Sequence, residues 1–153
     1  PGLLGKSRNI TISIWANLSV SDTSGAEAVS LGDYVAIRLD SARNEGVVGF
    51  YYDGTTWHAT TTGMLYAGAG WHHVVYVIDA SNTSQNVYID GVVMGSTAHT
   101  QSLSYVGLGS NTFIGKHGNG VGTYDFNGLI DDVSVYNRAL SNQEVLDLFN
   151  NSN

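Results

Sequence analysis

The feature that most narrows what this chain can fold into is a series of short segments with a period of two, each closed by turn residues. Ile10, Ile12 and Ile14 alternate with Thr11 and Ser13, so the isoleucines share one face of a strand over Asn9 to Trp15. After a polar loop from Ser19 to Ala26, the pattern returns. Val35, Ile37 and Leu39 share a face over Tyr34 to Leu39, and Val48, Phe50 and Tyr52 share one over Val47 to Tyr52. Asp53-Gly54 predicts a hairpin turn into a strand over Trp57 to Thr61. Trp71 to Ile78 is apolar on both faces except at His72 and His73, which predicts a central strand covered on both sides. Asn86 to Met94 is a second hairpin, turning at Asp90-Gly91, and Thr112 to Gly115 and Gly128 to Tyr136 close the series. One helix is expected. Ser141 and Glu144 form a capping box, and Val145, Leu148 and Phe149 make an apolar stripe behind it. About a dozen strands and one terminal helix predict an all-β fold, a two-sheet antiparallel sandwich.

The chain of 153 residues has no internal repeat or linker and predicts a single domain over residues 1–153. It has no cysteine, which removes disulfides, Cys-ligated zinc and thiol nucleophiles. The net charge is -7 and the six basic residues are scattered, so nucleic acid is not an expected partner. No apolar run approaches the ~20 residues of a membrane span. Lys6 and Arg8 lead into a strand rather than an apolar stretch, so no signal peptide is expected in these residues, and a start at Pro1 predicts a processed product or a piece of a larger chain.

Five segments in order carry a family resemblance. Thr11 to Trp15 resembles the "FTISAWV" strand of bacterial laminin-G-like, concanavalin A-like jelly rolls. Trp71 to Val74 resembles "WHHVA", Val87 to Gly91 resembles "LYVDG", and Ile114 to Lys116 resembles "IGR". Phe126 to Ser141 is similar to "FNGYIDDVRIYNRALS". The resemblance covers about residues 9–149 and implies a jelly roll. It also implies a strand of the "FDGVDDYV" kind beside the closing strand; this chain is expected to begin after it, the strand being either lost or kept on another polypeptide. Strand donation by another chain or segment, along an edge spanning Leu129 to Tyr136, is therefore an expectation.

The glucanases with this fold carry a Glu-x-Asp-x-x-Glu run on one strand, because retaining hydrolysis needs two carboxyls about 5–5.5 Å apart. Here Glu27, Glu45 and Glu144 are isolated, with Glu27 expected in a loop, and no catalytic residues are expected. His72 and His73 point opposite ways along a strand and are expected to be structural. Asp131 matches the family position that helps hold a structural calcium, so calcium at Asp131 is what the resemblance implies. Carbohydrate binding calls for aromatic rings to stack on sugar faces and polar groups to read hydroxyls. Two groups offer them: Tyr51, Trp57, His58 and Tyr66 around the Asp53-Gly54 hairpin, and His117, Asn119 and Tyr124 in the glycine-rich loop. Trp15 and Trp71 are expected in the core. The preferred expectation is a noncatalytic extracellular module, secreted or surface-exposed, that binds glycan or another surface ligand. An assembly domain of a phage or surface particle is the alternative, and a polysaccharide hydrolase the third.

Overall fold

A computed structural model describes residues 6–21, 24–41, 44–99, 102–104 and 111–151. Ten strands lie in order: β1 (Ile10–Val20), β2 (Ala26–Leu31), β3 (Val35–Ser41), β4 (Gly46–Tyr52), β5 (Trp57–Thr61), β6 (His72–Asp79), β7 (Ser84–Ile89), β8 (Val92–Ala98), β9 (Thr112–Ile114) and β10 (Asn127–Tyr136). One helix, α1 (Asn142–Asn151), follows. They form two antiparallel sheets of five strands, in the orders β10-β1-β6-β7-β8 and β5-β4-β3-β2-β9. This is the expected jelly-roll sandwich.

The predicted alternation sets the core. Ile10, Ile12, Ile14, Val74, Tyr76 and Ile78 of the first sheet meet Val35, Ile37, Leu39 and Tyr51 of the second, all buried. The sheets interlock at the centre, where the Tyr76 ring occupies the space a side chain on Gly49 would need; a Cβ there would stand 2.2 Å from the ring. The Tyr76 hydroxyl donates to Gln85 Oε1 at 2.6 Å, so its one polar atom is satisfied inside the core. Gly95 lets β8 touch β5, since a Cβ there would lie 2.5 Å from the Thr61 carbonyl.

The capping box forms as expected. Ser141 N–H donates to Glu144 Oε2 at 2.8 Å, and Glu144 N–H donates to Ser141 Oγ at 3.3 Å. The helix then covers the outer face of the first sheet, where Val75, Val77, Tyr88, Leu140 and Val145 make a second apolar cluster. Trp15 lies under Phe149 with ring centroids 5.8 Å apart, and His73, buried between them and β1, bonds Ser13 at 2.9 Å.

Three expectations need correction. Ala26–Leu31 is a strand, β2, and not the end of a loop; its residues are all buried, so no polar alternation marked it. Neither Trp15 nor Trp71 is in the core: by alternation with the inward Ile14 and Val74 both belong to the outer side, where Trp15 is half-buried under Phe149 and Trp71 is 43% exposed. Ten strands, not a dozen, are present among the described residues. β10 is an edge strand whose neighbour among these residues is β1 alone.

Two outcomes follow from this packing. Gly49→Ala should cost about 1–3 kcal/mol, the usual penalty of overpacking, measured as a lower urea midpoint. Burial pushes the His73 imidazole below its ordinary 6.5, against an opposing pull from Asp90 and Asp132. Burial does the same to His99, with help from Arg8 and His58. Well above pH 6.5 both rings are neutral whether the chain is folded or not; as pH falls toward and below it the unfolded chain takes up protons that the folded chain resists. Melting temperature should therefore fall as pH is lowered from 7.5 to 5.5, and His73→Gln should flatten that slope.

Candidate functional site

The site is built on the outward face of the second sheet, the face α1 does not cover. A β-bulge between Glu27 and Val29 shifts the register of β2 against β3. Val29 pairs with the core residue Ile37, while Glu27 pairs with Arg38 and Ser30 with Ala36 on the outer side. The loop between β9 and β10 then folds over this corner: Glu27 N–H donates to the Tyr124 carbonyl at 2.8 Å and Gly115 N–H to the Ala28 carbonyl at 2.8 Å.

Glu27 is fully buried and its Oε2 accepts from Arg38 Nη2 at 2.9 Å. The Arg38 guanidinium carbon also lies 3.9 Å from the centre of the Tyr124 ring and 4.9 Å from that of Phe50. A cation between aromatic faces keeps its charge with little need of water. Phe50 meets Trp57 edge-on at 5.4 Å, and Tyr52 packs on the other part of Trp57 at 5.1 Å. His117 stacks on Tyr124 at 5.0 Å, with its Nε2 3.9 Å from Asp33 Oδ1. Asp33 sits in the β2–β3 turn at positive φ. Burial raises its carboxyl above the ordinary 3.8, against the lowering pull of His117 and Arg38. Asp33, Arg38, Phe50, Trp57, His117 and Tyr124 line an open trough of about 400 Å³ with Glu45, Val48 and Ala59.

Three of the seven expected ligand residues, Trp57, His117 and Tyr124, are thus brought into one trough from separate hairpins and loops. The other four stand elsewhere. Tyr51 is a core residue, because successive strand residues alternate and its neighbours Phe50 and Tyr52 took the outer face. His58 pairs with Tyr51 across β4–β5 and faces inward. It bonds Asp53 at 2.7 Å, and this bond, with the Thr56 and Thr55 amides, lowers the Asp53 carboxyl to about 2. Tyr66 is buried against His72, its N–H bonded to Asp40. Asn119 is exposed beside the trough, its amide 3.3 Å from His117 Nδ1. Asp131 stands exposed on β10, its Oδ1 accepting the Asp132 N–H at 2.8 Å. Sequence reading missed Asp33, Arg38 and Phe50. The signal for Phe50 was present, since it shares a face with Tyr52 and that face is opposite the core residue Tyr51.

The chain is thus a two-sheet jelly roll with an aromatic and charged trough on one open face. It belongs to the laminin-G-type family described as the concanavalin A-like lectin/glucanases superfamily, whose model matches residues 1–146. No curated protein matches the sequence. Among solved structures, domain 4 of AbnA, a GH43 extracellular arabinanase from Geobacillus stearothermophilus solved with arabinotriose, is similar at a TM-score of 0.71 and 22% identity. The match covers 93% of this chain and 66% of that one. The binding domain of Paraclostridial Mosquitocidal Protein 1 matches at 0.68 and 18% identity over 96% of this chain and 38% of its own. Botulinum neurotoxin type C, whose uptake into cells depends upon interaction with two ganglioside molecules, matches at 0.65 and 15%, over 95% of this chain and 36% of its own. The chain therefore spans 66% of the first of these and little more than a third of the others. At such identities the likeness establishes the fold. No helix among the described residues is long and apolar enough to cross a membrane.

The ion pair carries a stability prediction. Arg38→Ala would leave Glu27 buried with no counter-charge. It should cost about 2–4 kcal/mol by chemical denaturation, somewhat below a fully enclosed pair because Arg38 is partly exposed.

Proposed function

We propose that this domain is a noncatalytic binding module whose trough takes a neutral glycan, working outside the cell as part of a larger secreted or surface protein. The observation that carries the reading is the grouping of Trp57, Phe50 and Tyr124 around Arg38, Asp33 and His117 on one open sheet face. Aromatic rings supply flat apolar surface for the CH face of a sugar, and the charged groups between them read its hydroxyls. Glu27 offsets Arg38 from beneath, which leaves the trough-lining Asp33 and Glu45, so a uronic acid would meet net negative charge. Neutral sugars fit better.

The burial of Glu27 supports the noncatalytic side of this reading. Glu27 and Asp33 come close enough to suggest a carboxylate pair, but Glu27 is engaged by Arg38 and its other oxygen has no accessible surface. A nucleophile must be reached by the anomeric carbon, and this one is not. A second reading, an assembly module, draws support from β10, whose outer edge has no ladder partner among the described residues and so offers backbone donors and acceptors to a strand of another chain.

Neutral polysaccharides and oligosaccharides screened by glycan array and calorimetry should yield a ligand that quenches or shifts tryptophan fluorescence and releases no reducing ends. Trp57→Ala should weaken binding at least tenfold while changing stability by less than about 1 kcal/mol, since Trp57 is 43% exposed. Binding unaffected by loss of Trp57 would move the site away from the trough.

A further inference from the structure

The corner of the trough holds chemistry that sugar stacking leaves unused. One carboxylate oxygen of Glu27, one of Asp33 and a ring nitrogen of His117 all lie within 4.8 Å of one another. Glu27 is fully buried, yet Arg38 satisfies only its Oε2; Oε1 is enclosed and has no partner. The neighbouring Ser30 hydroxyl is likewise buried and unpartnered. Enclosed oxygens without donors are costly, and Glu27 Oε1 and Ser30 Oγ belong to the same outer side of β2, where a cation would satisfy the carboxylate oxygen. The corner is also tightly built. A side chain on Gly118 would stand 2.4 Å from Ser30 Oγ and 2.5 Å from Asp33 Cα, so the glycine is what lets the His117 loop press against the Asp33 turn.

We propose that Glu27, Asp33 and His117 bind one divalent transition-metal ion, zinc foremost, with Glu27 bridging between Arg38 and the ion. An imidazole nitrogen with two carboxylates suits zinc, whereas calcium takes six to eight oxygens. Zinc bonds of about 2.0–2.1 Å set ligand atoms about 3.3 Å apart in a tetrahedron. His117 Nε2 and Asp33 Oδ1, at 3.9 Å, need close by about 0.6 Å, and the set with Glu27, within 4.8 Å, by at most about 1.5 Å; His117 and Asp33 are on loops where side-chain rotation supplies it. A dehydrated ion is smaller than water and reaches Glu27 Oε1 where solvent does not. Two carboxylates match the charge of the ion and outweigh the single guanidinium. Zinc on Nε2 moves the ring proton to Nδ1 at the expense of the 3.3 Å contact from the Asn119 amide, a weak bond. Three protein ligands leave a fourth position on the trough side, where a water or a ligand hydroxyl would complete the tetrahedron.

The test needs no glycan, so it stands apart from the sugar reading. Untagged protein stripped with EDTA is titrated with zinc, calcium and magnesium chlorides by calorimetry and thermal melting. One zinc per chain is expected, with a melting rise of about 5–10 °C at free zinc a hundred times the dissociation constant, and no comparable response to the other two ions. His117→Ala and Asp33→Asn should each weaken zinc binding at least tenfold while keeping the zinc-free circular dichroism spectrum, and Asp131→Ala should leave it unchanged. Should either variant fail to fold, cobalt added to the unaltered protein decides: visible absorption bands that zinc displaces support the site. Absence of both zinc and cobalt binding, or zinc binding that survives both substitutions, overturns it.

Discussion

The rest of this structure depends on the contact between Tyr76 and Gly49. The Tyr76 ring lies where a side chain on Gly49 would stand, so β4 passes over it only because that residue is a glycine. The ring fills the centre of the sandwich and turns its hydroxyl to Gln85, so the core holds a polar atom without a penalty. With β6 and β4 locked face to face, alternation decides every other position. Tyr51 goes inward with Gly49 and Val47, while Phe50 and Tyr52 go outward. The trough therefore owes its aromatic lining to a packing decision made on the opposite side of the sheet.

The two sheets put their outer faces to different uses. The first is covered by α1, whose Val145 and Phe149 dock over Val75, Tyr88 and Trp15. The second is open, and its burden is electrostatic. Burying Glu27 is unfavourable unless its charge is met, and Arg38 meets it while lying against Tyr124 and Phe50. The same guanidinium thus neutralises a buried carboxylate and orients two rings of the trough. The β2 bulge makes this possible, because without the extra residue Glu27 and Ser30 would face opposite sides of the sheet.

Much of the fold was legible in the residue pattern. The Ile10, Ile12, Ile14 face, the Val35, Ile37, Leu39 face, both Asp-Gly hairpins and the Ser141–Glu144 cap stand as local chemistry predicts. β2 was not legible, since Ala26 to Leu31 is buried on both sides and contains Glu27, an unfavourable strand residue. Trp15 and Trp71 were misplaced for a related reason: an aromatic on or beside a strand reads as core until it is known which face the sandwich buries.

The sequence by itself determined the class of fold, because period-two alternation and turn residues act between near neighbours and need no distant partner. It also put Trp57, His117 and Tyr124 among the candidates by residue type. Only the tertiary structure decided that these three converge, that Tyr51, His58 and Tyr66 do not join them, and that Asp33, Arg38 and Glu27 do. The physical reason is that the site is assembled from segments up to 97 residues apart, Glu27 to Tyr124, across a ladder order and a bulge that set which side chains share a face. Those are properties of how strands pair, and no single strand carries them.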